Sequence, residues 1–195
     1  MPEARFRIET GEKVLYLTFD DGPDPLSTSS VLKIVEKYNI RSLFFCKGRS
    51  AERYPELIER IKAGTHIIGN HGYDHLDGWT TSAERYVKDV KTAEPFTSDK
   101  FFRPPYGHLS PGQYRGLSRS FDIFLWDVMA YDFDNSFGSE KSLRILKEKI
   151  RPGSIIVLHD RPDSTAHVFL EEFIIYSLSR GFMFDVPVFR DKQAG

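Results

Sequence analysis

Short runs rich in β-branched and aromatic residues alternate with segments of helical periodicity along most of this chain, and that alternation leaves few folds open. Runs at Val14–Phe19, Ser42–Cys46, His66–Gly69, Phe101–Arg103, Asp122–Trp126, Ser154–Leu158 and Phe182–Val188 read as seven strands. Between them, STSSVLKIVEKY places Val31, Leu32, Val35 and Tyr38 on one face behind Ser or Thr caps. YPELIERIKAG opens on Pro55 and closes on Gly64, the usual asymmetry of helix ends. TSAERYVKDVKTAE, GSEKSLRILKEKI and STAHVFLEEFIIYSLSRG repeat the theme. Strands separated by helices run parallel with helices over their faces, so the pattern predicts an α/β protein. At 195 residues, with no internal repeat or Gly/Ser linker, one domain over 1–195 is expected, with only the polar tail Asp191–Gly195 frayed.

Charge narrows the partners. Lys and Arg total 27 against 28 Asp and Glu, without a long run of either sign, which argues against a nucleic-acid stripe or a polybasic membrane patch. No stretch of 18 apolar residues suggests a membrane span, and MPEARFRIET has no signal-peptide pattern. A trimmed secreted protein would look the same, so the compartment stays open, as does the oligomeric state. The single cysteine, Cys46, excludes an intrachain disulfide and reads as a buried thiol.

In parallel α/β folds, chemistry gathers at the C-terminal ends of the strands. Asp20 and Asp21 follow the first predicted strand, His71 and His75 the third, Arg103 ends the fourth, Asp127 and Asp132 follow the fifth, and His159 and Asp160 the sixth. All fall on one predicted rim, which marks a functional site there. HGYDH spaces two imidazoles four apart, within reach of one cation, although such a pair alone is a weak signal. One carboxylate from TFDDGP completes a two-His, one-carboxylate set with coordination positions left open. If Asp21 binds the cation, Asp20 stays ionised beside it as a proton acceptor. A histidine ending an apolar strand, as His159 does, is more often a capped or core residue, and only its rim position favours catalysis. Leu158 either lines a small pocket or is a core strand residue. Tyr73, Trp79 and Tyr106 fall in rim loops, where an aromatic ring offers apolar area with a polar edge for stacking, whereas Trp126 reads as core.

TFDDGP, HGYDH, RPPYG, WDVMAYDF and VLHD, in that order, resemble the five motifs of the polysaccharide deacetylase family, the NodB-homology enzymes of carbohydrate esterase family 4. The resemblance spans Thr18 to Asp160. It implies a distorted (β/α) barrel of about seven parallel strands, a divalent metal, most commonly zinc, and removal of acetyl groups from N- or O-acetylated sugars, and it suggests the cell envelope or exterior. By resemblance, Asp20 is the general base and Asp21, His71 and His75 are metal ligands. Arg103 orients the base, the Tyr106 amide donates to an oxyanion, His159 is the general acid and Asp132 tunes it. Leu158 and Phe133 would then belong to the substrate pocket. The expected partner is an acetylated carbohydrate, peptidoglycan or chitin-like. Cobalt, nickel and iron also suit such ligands.

Two positions depart from the family pattern. Gly72 stands where the second motif usually has Ser or Thr, which puts metal affinity in question. Phe133 stands where the fourth usually has Trp, which puts substrate fit in question. Rival readings are an O-acetyl esterase acting on xylan-like polymers and a binding module on an inactive scaffold. The latter would require a missing ligand or proton carrier, and none is missing. A metalloprotease is disfavoured, since H-E-x-x-H is absent.

Overall fold

The computed structural model describes residues 4–98 and 100–188. The central strand, β1 (Val14–Asp20), pairs along one edge with β7 (Ile155–His159). Its other edge is shared. β8 (Met183–Phe184) takes Val14 and Leu15, and β2 (Leu43–Cys46) takes Thr18 to Asp20. From β2 the sheet continues through β3 (Ile67–Asn70), β4 (Phe101–Phe102) and β5 (Asp122–Ile123), and beyond β7 it ends on β6 (Val128–Met129). Every strand pair is parallel. The sheet curls into a distorted barrel whose edges are β5 and β6, and residues 124–127 cross the seam between them. The N-terminal segment helps to close it, bridging Arg5 to Phe124 and Arg7 to Ser154.

Seven strands therefore form the continuous path, as expected, but one member differs. The run Asp122–Trp126 supplies only β5, and Val128–Met129, not anticipated as a strand, forms β6. Phe182–Val188 contributes the short β8 off that path.

The five expected helices form: α1 (Ser27–Lys37), α3 (Pro55–Ala63), α4 (Ala83–Ala93), α6 (Ser139–Lys149) and α7 (Ala166–Ser179). The first turn of α1 is held by Asp24 rather than by a Ser or Thr cap, since its Oδ1 accepts from the amides of Leu26 and Ser27. Two helices escaped the periodicity reading, α2 (Gly48–Arg53) and α5 (Pro111–Leu117). Gly112 and Gly116 lower the intrinsic helix propensity of α5, but a capping box offsets that cost: Ser110 accepts from the Gln113 amide, and the Gln113 side chain accepts from the Ser110 amide.

The pleat divides β1 in two. Leu15, Leu17 and Phe19 face the helices, packing in one cluster with Val31, Leu32 and Val35 of α1 and Leu170 and Phe173 of α7. The opposite face, with Tyr16, joins Leu43, Phe45, Phe101, Phe124 and Ile155 in a cluster inside the barrel. On that inner face Thr18 and Asp20 continue the column of side chains upward to the rim, where the site lies.

Candidate active site

Arg103 is the foundation of the site. It is fully buried inside the barrel, with its guanidinium 4.2 Å from the Phe45 ring centre. A buried cation is costly unless it is paired and hydrogen-bonded. Here one nitrogen donates to Thr18 Oγ1 and to Asp20 Oδ1, both at 2.7 Å, and another to the carbonyl of Leu125 at 3.0 Å. Asp20 is thereby locked by one oxygen, and its Oδ2 faces the histidines, 4.0 Å from His71 Nε2.

Asp21, His71 and His75 come together as the sequence suggested, with ligand atoms all within 4.8 Å of one another. His71 Nδ1 lies 2.8 Å from the carbonyl of Arg103. A carbonyl can only accept, so Nδ1 carries the proton and Nε2 presents its lone pair to the cluster. Burial pulls the His71 pKa down to about 4, keeping the imidazole neutral and fit to ligate. Burial pushes the Asp21 carboxyl up, but the hydrogen bond and charge of His75, with His71 and Lys47, outweigh it and hold the group well below the usual carboxylate range. Asp21 Oδ1 is buried without a well-formed hydrogen bond, 3.0 Å from His75 Nε2 and 3.8 Å from His71 Nε2. An orphaned carboxylate oxygen facing two imidazoles fits a divalent cation. Asp21, His75 and Tyr106 all adopt positive φ, at 80°, 58° and 59°. Such strain in residues with side chains concentrates at functional sites.

Across the cavity stands His159, which pairs with Asp20 at the same level of the sheet. Its Nδ1 is 3.0 Å from Asp132 Oδ1. Asp132 is fully buried, and its Oδ2 accepts from the His159 amide and from Ser164 Oγ, both at 2.7 Å. Burial lowers the His159 pKa, but the Asp132 hydrogen bond and charge more than offset it, so the net shift is upward. Nε2 is left facing the cavity.

That cavity, about 420 Å³, is lined by Asp20, Asp21, His71, His75, Tyr106, His108, Trp126, Met129, Phe133, Val157, His159 and Arg161. The Phe133 ring packs edge-on to His159 at 5.0 Å, and the Tyr106 ring covers His75 at 4.6 Å. Leu158 is elsewhere: its side chain lies in the helix-facing core cluster. The alternation of β7 turns Val157 to the cavity and Leu158 away, so Val157 holds the position expected of its neighbour. Trp126, expected as core, lines the cavity because the strand ends at Ile123 and the chain there crosses the barrel seam. Trp79 stacks on His108 at 3.4 Å beside the cavity, while Tyr73 hydrogen-bonds Glu52 outside it.

Asp127 does not join the rim. It accepts from Arg151 Nε at 3.0 Å and Ser154 Oγ at 2.6 Å, at the opposite end of β7, because it precedes β6 rather than following a strand. Asp160 braces the loop beneath the site, accepting from the Gly22 amide at 2.8 Å and Thr28 Oγ1 at 2.6 Å, and burial pushes its pKa up to about 8. Sequence reasoning missed Arg161, His108 and Met129; for Arg161 the available signal was its place directly after the rim pair His159–Asp160. Gly72 has φ +73°, and a Cβ there would stand 2.8 Å from Asp89 Oδ2. Asp89 accepts from the amides of Tyr73 and Asp74 at 2.9 and 3.0 Å, so a carboxylate braces the ligand loop where no hydroxyl is present.

Residues 7–117, which include Asp20, Asp21, His71, His75, Arg103 and Tyr106, match the family model described as polysaccharide deacetylase. The chain belongs to the polysaccharide deacetylase family. Asp132 and His159 lie beyond the matched segment, but longer alignments reach across it. A chitooligosaccharide deacetylase of Sinorhizobium fredii is 34% identical over 83% of this chain and 79% of its own length. A peptidoglycan-N-acetylglucosamine deacetylase of Bacillus cereus is 33% identical over 75% of this chain, which spans only 55% of that protein. The crystal structure of a peptidoglycan N-acetylglucosamine deacetylase in complex with 4-naphthalen-1-yl-N-oxidanyl-benzamide superposes with a TM-score of 0.87 at 27% identity, covering 93% of this chain and 89% of that one.

Proposed function

We propose that this polysaccharide deacetylase removes acetyl groups from the N-acetylated sugars of a polysaccharide, peptidoglycan or chitin-like, with zinc held by Asp21, His71 and His75. The observation that carries the reading is the pair of proton-carrying side chains with different partners, Asp20 against Arg103 and His159 against Asp132, on either side of the Asp21–His71–His75 cluster in one cavity. Hydrolysis of an amide needs a base for water and an acid for the departing amine, and these two environments suit those two tasks. Relatives acting on peptidoglycan and chitooligosaccharides support the substrate class.

A divalent cation in this N/O ligand set would supply positive charge that polarises a carbonyl and acidifies water; zinc is chosen on family resemblance, and cobalt, nickel and iron suit the same ligands. Asp20, held in place by its hydrogen bond from Arg103, takes the proton of the attacking water. The Tyr106 amide donates to the oxygen on which charge develops, as preorganised dipoles do in acyl transfer. His159 delivers a proton from Nε2 to the leaving nitrogen, and Asp132 holds the ring in the required tautomer. Phe133, Val157 and Trp126 give the acetyl group an apolar wall.

The test is acetate release from chitooligosaccharides, peptidoglycan fragments and acetylated xylan, after metal is stripped and zinc restored, with Asp20→Asn as control. Zinc-dependent release from an N-acetylated substrate, reduced about 100- to 10,000-fold in the control, is expected. Release from xylan alone would make the protein an O-acetyl esterase, and no release from any substrate would leave carbohydrate binding without turnover.

A further inference from the structure

The two oxygens of Asp21 have different neighbours. Oδ1 faces His75 and His71, whereas Oδ2 lies 3.3 Å from Nη1 of Arg161. Arg161 is itself positioned from three sides: Nε lies 2.7 Å from Asp163, Nη2 donates to the carbonyl of Phe133 at 3.5 Å, and the guanidinium sits 6.0 Å from the Phe133 ring centre. Its side chain is about one-third exposed and lines the cavity. A guanidinium placed this way competes with a cation for the second oxygen of the same carboxylate.

We infer that Arg161 is a positioning residue that restricts Asp21 to one ligating oxygen, keeping coordination positions free for water and substrate at some expense of metal affinity. The inference rests on the proposed metal role of Asp21, His71 and His75. Carboxylates ligate through one oxygen or two, and outer partners of the ligands decide which. The positive charge of Arg161 also opposes a second cation close by. Both effects have one sign. Removing the guanidinium frees Oδ2 to chelate and removes the repulsion, so the variant binds metal more tightly while working more slowly. A residue needed merely for folding or for shaping the loop would give the opposite change in affinity.

The experiment titrates cobalt(II) into metal-stripped wild type, Arg161→Met and Arg161→Lys, reading the visible absorption of the bound ion and the dissociation constant by competition with a chelator. For Arg161→Met, the visible bands are expected to weaken as coordination number rises, the dissociation constant to fall about tenfold or more, the scale on which outer partners of ligands act, and kcat to drop. Arg161→Lys retains a cation and keeps the wild-type spectrum. Unchanged bands in Arg161→Met, or weaker cobalt binding by it, overturn the inference while leaving the metal site intact. Failure of wild type to bind cobalt at all overturns the underlying metal assignment and the inference with it.

Discussion

At the scale of single residues, function here depends on which face of a strand a side chain occupies and which partner fixes its protonation. Asp132 holds His159 protonated to higher pH than the ordinary value of 6.5. Asp132→Asn removes that partner, so the alkaline limb of the pH–rate profile is expected to move to lower pH; an unmoved limb would assign that limb to another group. The same coupling contributes to folding. With the folded value raised, the stabilisation is complete below about 6.5 and is lost as pH rises through the folded value. Val157 and Leu158 form a second contrast. Leu158→Ala, in the helix-facing core, should cost about 2–5 kcal/mol of stability in denaturant unfolding. Val157→Phe should instead fill the cavity and raise KM for the N-acetylated substrate, and equal effects of the two on stability would contradict the assignment of faces. The residue types of the site were legible, because Asp20, Asp21, His71, His75, Arg103, Asp132 and His159 stand in spaced motifs. The choice of Val157 over Leu158 was not, since strand alternation has no visible phase until one residue is placed.

Elements place these residues by where they stop. β1 ends at Asp20 and the chain turns at once into positive φ at Asp21, so successive carboxylates point differently, one to Arg103 and one to the histidines. The loop after β3 works similarly, with Gly72 at φ +73° and Asp89 of α4 receiving the amides that follow. A serine in place of Gly72 would meet both the left-handed backbone and the Asp89 carboxylate. Gly72→Ser is expected to destabilise by about 1–2 kcal/mol, lowering the thermal midpoint by roughly 2–8 °C. A midpoint at or above wild type would show that the loop adapts. The helices with clear apolar periodicity were visible in the sequence; α5 was not, because its stability depends on the Ser110–Gln113 box instead of its weak intrinsic propensity. Asp127 shows the converse error. Placed after a predicted strand, it belongs in fact to the start of the next one, and so to the far end of the barrel.

At the scale of the whole molecule, the barrel gathers Asp20 and Asp21 from the end of β1, His71 and His75 from the loop after β3, and His159 from β7 around one cavity, with Arg103 from beyond β4 buried against Asp20. A cation held between the first two of these segments would stabilise only the folded state. Zinc at a hundredfold excess over its dissociation constant should add about 2.7 kcal/mol, seen as a higher thermal midpoint that chelator reverses. Asp21→Asn should abolish the rise; a rise that persists would move the site elsewhere. Among the described residues no helix is long and apolar enough to cross a membrane. The alternation of strand and helix determined the α/β class and the parallel sheet, because hydrophobic period and turn chemistry are local and are written in adjacent residues. The motifs likewise determined which acids, histidines and arginine meet in the site, because those residue types stand at recognisable spacings. Tertiary structure alone decided that Val157 and Trp126 line the cavity, that β6 closes one edge of the barrel, and that Arg161 reaches Asp21. Each of these depends on contacts between segments far apart in the chain, and those distances are set only when the barrel curls.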